Sequence, residues 1–399
     1  MTYRELLQLY KAGKLDEETR KTVESAIEQQ EAIGEFLFNE DNFSDLPPLL
    51  AEESAPAEDS ERFLKMIQKS IKRTLIKLGL TVGAIVLSVL IGFAVIAPRA
   101  VSHFYYDPTQ IVGQDPQYEN LTTRRMELDL AVYTELYLPG QYRDQVLVEP
   151  EGWGRYDVSF RKTTSPDGRF PSVHGRLVRN KLTLYDPDPM TPPVGNAFLS
   201  PEGVNNGYFF DGYPNTIEER KEESRLWLDG LNDYELYQGF ISLDRLMDYP
   251  EFYQWYLALE AEGYDPWCAV APVDEYGYLA CDNLGFRLRG GGFVMYYDEE
   301  TYPYLTMTSA IDQLGGDVAA DPALMQTHFT SMLRWQMDHP EFTKMMGRGC
   351  EPDLCERIIG MVERDGIQVL GLALTAHRDV FEKILDDPHV SYLYVTPLP

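Results

Sequence analysis

The longest apolar run in the chain covers residues 78–97, LGLTVGAIVLSVLIGFAVIA, and contains no charged side chain. Twenty residues at the helical rise cover roughly 30 Å, the hydrocarbon thickness of a bilayer. Thr81 and Ser88 are its polar interruptions, and Gly79, Gly83 and Gly92 are of a type common in membrane helices. Pro98 and Arg99 are expected to close it, so the pattern predicts one transmembrane helix over 78–98. The run is too long, and too far from Met1, for a cleaved signal peptide.

Upstream the pattern is amphipathic. Thr2-Tyr3-Arg4-Glu5 has the form of a capping box, and Leu6, Leu7, Leu9 and Tyr10 follow as one side of a short helix that Gly13 ends. Asp16 is placed to cap a second helix, on which Val23, Ala26, Ile27, Ile33, Phe36 and Leu37 recur mostly at spacings of three and four. Residues 1–45 therefore predict a small all-α domain, too short to bury a core of its own. A partner completes such a core, which makes Leu6, Leu9, Tyr10, Val23, Ile27, Ile33, Phe36 and Leu37 the candidate partner contacts. Residues 46–59 carry Pro47, Pro48 and Pro56 among acids and read as an acidic linker. Residues 60–77 predict a helix with Phe63, Met66, Ile67 and Ile71 on one face and basic residues on the other, continuing into the span.

Downstream the pattern is mixed, and the fold class expected is α+β with a mainly antiparallel sheet. Residues 126–138 alternate apolar and polar positions, as a half-buried strand would, and 145–148, 155–160 and 175–185 read as further strands. Residues 186–215 are rich in Pro, Gly and Asn and read as a long loop. Thr216 is placed to cap an exposed helix. A strand is expected over 234–241, a helix over 243–260, and paired strands over 267–272 and 276–288. Gly290-Gly291-Gly292 lacks the Lys-Ser or Lys-Thr of a phosphate loop and reads as a turn or bulge. Residues 319–346 are expected to be largely helical. The chain then predicts helix 354–364, strand 367–375, helix 378–385 and strand 392–395, with Gly366 stopping the first helix and Pro388 the second. This outer region divides into an N-terminal part, 105–232, and a C-terminal module, 233–399.

Charge sets an orientation. Lys65, Lys69, Lys72, Arg73 and Lys77 precede the span, whereas Arg99 alone follows closely, so the N-terminus is expected in the cytoplasm and the large C-terminal domain outside the cell membrane. The chain is acidic, with 64 Asp and Glu against 35 Lys and Arg. Residues 1–60 hold fifteen acids and five bases, a balance that disfavours direct nucleic-acid binding and suits a basic protein partner.

Cys268, Cys281, Cys350 and Cys355 all fall on the expected outer side, where an even number suggests disulfides. Of the three connectivities, the local pairs Cys268 with Cys281 and Cys350 with Cys355 are the expected ones, and free thiols are the alternative. Their spacings do not match a four-thiolate zinc site. The six histidines show no HExxH or paired spacing, and there is no G-x-S-x-G elbow and no calcium loop. No metal, cofactor or catalytic residue is expected, and the chain reads as a protein without enzymatic activity.

The opening TYRELLQLYKAGKLDEETRKTVESAIEQQEAIGEFLF, followed by linker, basic helix and single span, resembles the membrane-anchored anti-sigma factors of extracytoplasmic-function sigma factors in Gram-positive bacteria. The likeness is to their sigma-factor-regulator branch. In the wider family the second helix often carries a zinc motif, HxxxCxxC, after a Val-Glu pair; laid on Val23-Glu24, those positions hold Ala26, Gln30 and Ile33, none of which binds zinc. The closing GIQVLGLALTAHRDVFEKILDDPHVSYLYV, with ISLDRLMDYPEF upstream, resembles the C-terminal module of the same family. The resemblance implies a cytoplasmic head that sequesters a sigma factor and an outer domain that meets an envelope protein or cell-wall ligand. A membrane-tethered sensor recruiting a different cytoplasmic protein is the alternative.

Overall fold

The computed structural model describes residue 10 and residues 17–38, 57–162, 166, 168–170, 172–186, 190, 197–204 and 216–398. The chain divides into two units, Met1–Ile85 and Val86–Pro399.

In the first unit, helix α1 spans Glu17–Phe38 and helix α2, Ala57–Ile91, begins. The expected first helix around Leu6 and Leu9, the caps at Thr2 and Asp16, and the linker up to residue 56 lie outside the described residues. Helix α2 already includes Ala57, Glu58 and Asp59, so the basic helix starts earlier than the expected residue 60, its acids lying in the first turn where the helix dipole favours them.

The apolar helix does not stop where Pro98 was expected to stop it. After Ile91 the backbone widens into a π turn, Gly92–Ile96, and resumes as helix α3, Ala97–Ser102. The Ala97 N–H reaches back to the Gly92 carbonyl, one residue further than in an α-helix. That wider turn, just before Pro98, accommodates a residue with no N–H and a bulky ring, so the helix carries on through it. Among the described residues one helix, Gln68–Ser102, is long and apolar enough to cross a membrane, and its apolar window is wholly unburied.

The rest of the second unit is α+β with antiparallel strand pairing. Strands β1, Ile111–Gln114, and β2, Thr122–Arg124, form a ribbon leading into helix α4, Arg125–Tyr137. Residues 126–138 were expected to be a strand. Nearly every side chain from Met126 to Tyr137 is buried, and a helix enclosed on all sides shows no stripe of period 3.6, so the local alternation was uninformative.

Strands β3, Arg143–Gly152, β4, Arg155–Lys162, β5, Ser172–Val178, and β6, Lys181–Leu184, form a four-stranded meander in that order. The single strand expected over 175–185 is thus a hairpin. Arg179 and Asn180 turn it with φ of 47° and 66°, the sign that a two-residue hairpin turn of matching twist requires.

Helix α5, Ile217–Asp229, follows with Thr216 as its cap, the hydroxyl accepting the Glu219 N–H. The second sheet has the order β11-β7-β10-β8-β9. Its strands are β7, Tyr237–Asp248, β8, Tyr264–Val270, β9, Leu284–Arg287, β10, Gln368–Ala376, and β11, Val390–Pro397. Helix α6, Tyr249–Ala258, starts six residues later than expected because residues 243–248 belong to β7. Strand β7 lies between β10 and β11, and its buried Ile241 and Leu243 are paired on one or both sides, a gain that local helix propensity does not match. The Asp248 side chain accepts the Glu251 N–H and ends the strand by capping α6.

Helices α7, Met307–Leu314, α8, Pro322–Asp338, α9, Pro340–Met346, α10, Pro352–Asp365, and α11, Arg378–Leu385, complete the unit. The terminal helix, strand, helix, strand succession follows the expected order, with Gly366 in the left-handed region at φ 75°. One core joins α4, both large sheets and α8, and α4 is fastened inside it by polar contacts. The Trp267 indole donates to the Glu135 carbonyl at 2.6 Å, and the Trp335 indole and the Tyr106 hydroxyl donate to the Asp129 carboxylate at 2.8 and 2.7 Å.

Candidate functional site

Of the candidate partner contacts, Leu6 and Leu9 lie outside the described residues. Tyr10 is helical and half-buried, and its hydroxyl donates to the Glu24 carboxylate at 3.2 Å, which places it beside α1. Val23 is buried and Ile27, one turn on, is half-buried, so these two share a face with the Tyr10 contact beside it. Ile33, Phe36 and Leu37 stand on the backbone of α1, and their side chains lie outside the described residues. On α2, Lys65, Lys69, Lys72, Arg73 and Lys77 are exposed, and so are Met66, Ile71, Leu75 and Ile76.

Within the second unit the β3–β4 turn grips the end of the apolar helix. The Trp153 N–H donates to the Pro98 carbonyl at 3.3 Å, and the Gly154 N–H donates to the Ser102 hydroxyl at 2.9 Å. The Trp153 ring meets that of Phe93 at 5.4 Å between centroids. Gly152, Trp153 and Gly154 all have positive φ, which tightens the turn against the helix.

The same hairpin carries a cleft at its other end. Its volume is about 540 Å³, and its floor is the face of β3, β4 and β5 presenting Gln145, Leu147, Ser159, Arg161 and Ser172. Glu127 of α4 and the strip Phe293, Val294 and Met295 form its walls. Asp144 lies beneath that strip and accepts the Phe293 N–H at 2.5 Å. The triple glycine is the turn that brings the strip there: Gly292 has φ +99°, and a Cβ on it would fall 2.3 Å from the Asp144 carboxylate.

Two acids of the cleft are perturbed. Burial pushes the Asp144 carboxyl up to about 6, against the Phe293 N–H and the charge of Arg287. Burial also raises Glu127, although its carboxylate accepts the Arg124 N–H at 2.7 Å. The cleft thus offers hydroxyl, amide and guanidinium groups beside exposed Leu147 and Phe293, a mixture suited to a neutral polar ligand with apolar edges. Sequence reasoning missed Glu127, Asp144 and Arg161. No local motif marks them, and their one sequence signal was the triple glycine, whose neighbours in space belong to β3.

The cysteines are arranged otherwise than expected. Cys268 is fully buried in β8, whereas the Cys281 and Cys350 sulfurs lie 3.2 Å apart and the Cys355 thiol points at the Cys350 carbonyl at 3.7 Å. The local pairing of Cys268 with Cys281 gives way because strand β8 faces Cys268 into the sheet core, while the β8–β9 connection carries Cys281 out to the turn before α10. All four are free thiols. Among the described residues no group of three or more His, Cys, Asp or Glu side chains is placed to hold a metal ion.

No family model, no curated protein and no solved structure matches this chain.

Proposed function

We propose that the chain is a single-pass, membrane-anchored anti-sigma factor whose cytoplasmic N-terminal helices sequester an extracytoplasmic-function sigma factor and release it on an envelope signal. One observation carries the signalling part of this reading. The β3–β4 hairpin holds the end of the apolar helix in its turn and forms the floor of the cleft with its opposite end. A ligand in the cleft and the membrane helix therefore act on the same two strands.

The basic residues at positions 65–77 and their scarcity beyond the span support an inside N-terminus. The acidic head suits the basic surface of a sigma factor, steering it towards the apolar stripe on which half-buried Ile27 stands beside buried Val23. Helix α2 runs without a break from the basic segment into the apolar one. In this reading residues 1–45 form the sigma-binding domain, 78–98 the span, and 105–399 the outer sensor, with its C-terminal module from 233 onward.

The test is capture of candidate sigma factors by the full chain in detergent, together with a sigma-dependent reporter in cells. The expected result is a complex with one sigma factor and a reporter that rises when the chain is deleted. No complex with any of them and an unchanged reporter would end the reading.

A further inference from the structure

Cys281 and Cys350 are 69 positions apart in the chain and 3.2 Å apart at their sulfurs. Cys281 stands in the connection between β8 and β9, and Cys350 in the turn between α9 and α10. The Cys350 backbone is clamped on both sides. Gln336 of α8 donates to its carbonyl at 2.7 Å, its own N–H donates to the Tyr137 hydroxyl at 3.0 Å, and that hydroxyl donates back to Gln336 at 2.7 Å. Gly349, at φ +121°, lets the turn close, since a Cβ there would lie 2.4 Å from the Thr343 side chain. Cys350 is thus held beside Cys281 by contacts from α4, α8 and α9.

Cys350 is itself 3% exposed, but it lines an opening to solvent. A cavity of about 190 Å³ opens beside it between Thr343, Lys344, Arg348 and Glu351, with Lys344 and Arg348 exposed at its mouth. Two cations against one acid favour an anionic visitor.

We propose that Cys281 and Cys350 form a thiol–disulfide exchange site for an anionic low-molecular-weight disulfide, Cys350 attacking first and Cys281 resolving. The Cys350 thiolate attacks one sulfur of the external disulfide, whose S–S bond breaks; one thiolate leaves with the electron pair, and a mixed disulfide remains on Cys350. Cys281 then loses its proton and attacks the Cys350 sulfur, forming the Cys281–Cys350 bond and expelling the second thiolate. The two thiolates take up the two protons shed by the protein thiols. The protein is oxidised by two electrons, and the external disulfide is reduced to two thiols.

The order of attack follows from the surroundings. The contact with the Cys281 sulfur at 3.2 Å, with the Cys355 thiol nearby, holds Cys350 below the usual thiol range, and the same contact raises Cys281. Cys268 is the built-in contrast, a thiol raised by burial alone. The assignment does not depend on the sigma-factor reading.

The test uses the full chain, reduced, freed of reductant, and exposed to oxidised and reduced glutathione at fixed ratios. Thiols are then blocked by alkylation and the bonds mapped by mass spectrometry of a non-reduced digest. The expected product is a peptide pair joined through Cys281 and Cys350, unchanged in Cys268→Ser. Cys281→Ser should accumulate glutathione on Cys350, and Lys344→Ala with Arg348→Ala should slow the first step severalfold at low salt. A bond between Cys350 and Cys355, or thiols that all stay alkylatable in the wild-type chain, would overturn the proposal. Glutathione found on Cys281 in Cys350→Ser but never on Cys350 in Cys281→Ser would overturn the order of attack.

Discussion

His328 Nε2 lies 3.0 Å from Glu135 Oε1, with both side chains sealed from solvent at the centre of the larger unit. The other ring nitrogen, Nδ1, is 2.6 Å from the Tyr304 carbonyl, which only accepts, so Nδ1 carries a hydrogen and the contact at Nε2 shares one further proton with the carboxyl. The pair ties α4 to α8 across the core, at the level where Trp267 also holds α4.

Removing one member strands the other. Glu135→Leu is expected to cost about 3–5 kcal/mol, because an uncompensated polar group is left in the core. The double variant Glu135→Leu with His328→Leu should recover a large part of that loss. Urea unfolding of the second unit's tryptophan signal measures both, and purely additive losses would refute the coupling.

Stability should fall as pH rises from about 4 to about 6. Burial lifts the Asp129 and Asp144 carboxyls from 3.8 to about 6, so the folded chain binds more protons than the unfolded chain in that window. For each group the shift amounts to about 3 kcal/mol, present at low pH and lost by neutral pH. Asp129→Asn should flatten the profile, since the amide still meets Tyr106 and Trp335. Unfolding midpoints taken across the pH range test the sign, and a rise over this window would contradict it.

Gly292→Ala should destabilise the rim of the cleft. Its φ of +99° is costly for any side chain, and the added methyl meets the Asp144 carboxylate. A loss of about 1–3 kcal/mol is expected, together with faster amide exchange in the strip from Phe293 to Met295. Gly168→Ala, at φ +70° with open space around it, is the control for backbone strain alone.

On the proposed function, Ile27→Asp should weaken capture of the sigma factor at least tenfold. The half-buried position lets the helix fold while placing a charge on the binding stripe, at a cost of about 2 kcal/mol or more in binding. Glu28→Ala on the exposed side should change little beyond a modest effect on association rate. Calorimetry with the full chain distinguishes them, and equal affinities for Ile27→Asp and the wild type would remove Ile27 from the interface.

What the sequence determined by itself were the features whose energetics are local. The apolar helix was legible because twenty uncharged residues carry their own solvent preference, wherever the rest of the chain goes. The helix at Thr216 and the order of the four last elements were legible because caps and glycine stops act within a few residues. Tertiary structure decided the rest. Helix α4 hid its period inside a core contributed by both sheets, and β7 extended past Ile241 because β10 and β11 were there to pair with it. The end of the apolar helix moved past Pro98 where a π turn made room. Cys281 met Cys350 instead of Cys268, and Asp144 met the triple glycine, because those partners are set by strand register and helix packing between segments far apart in the chain, which no local spacing encodes.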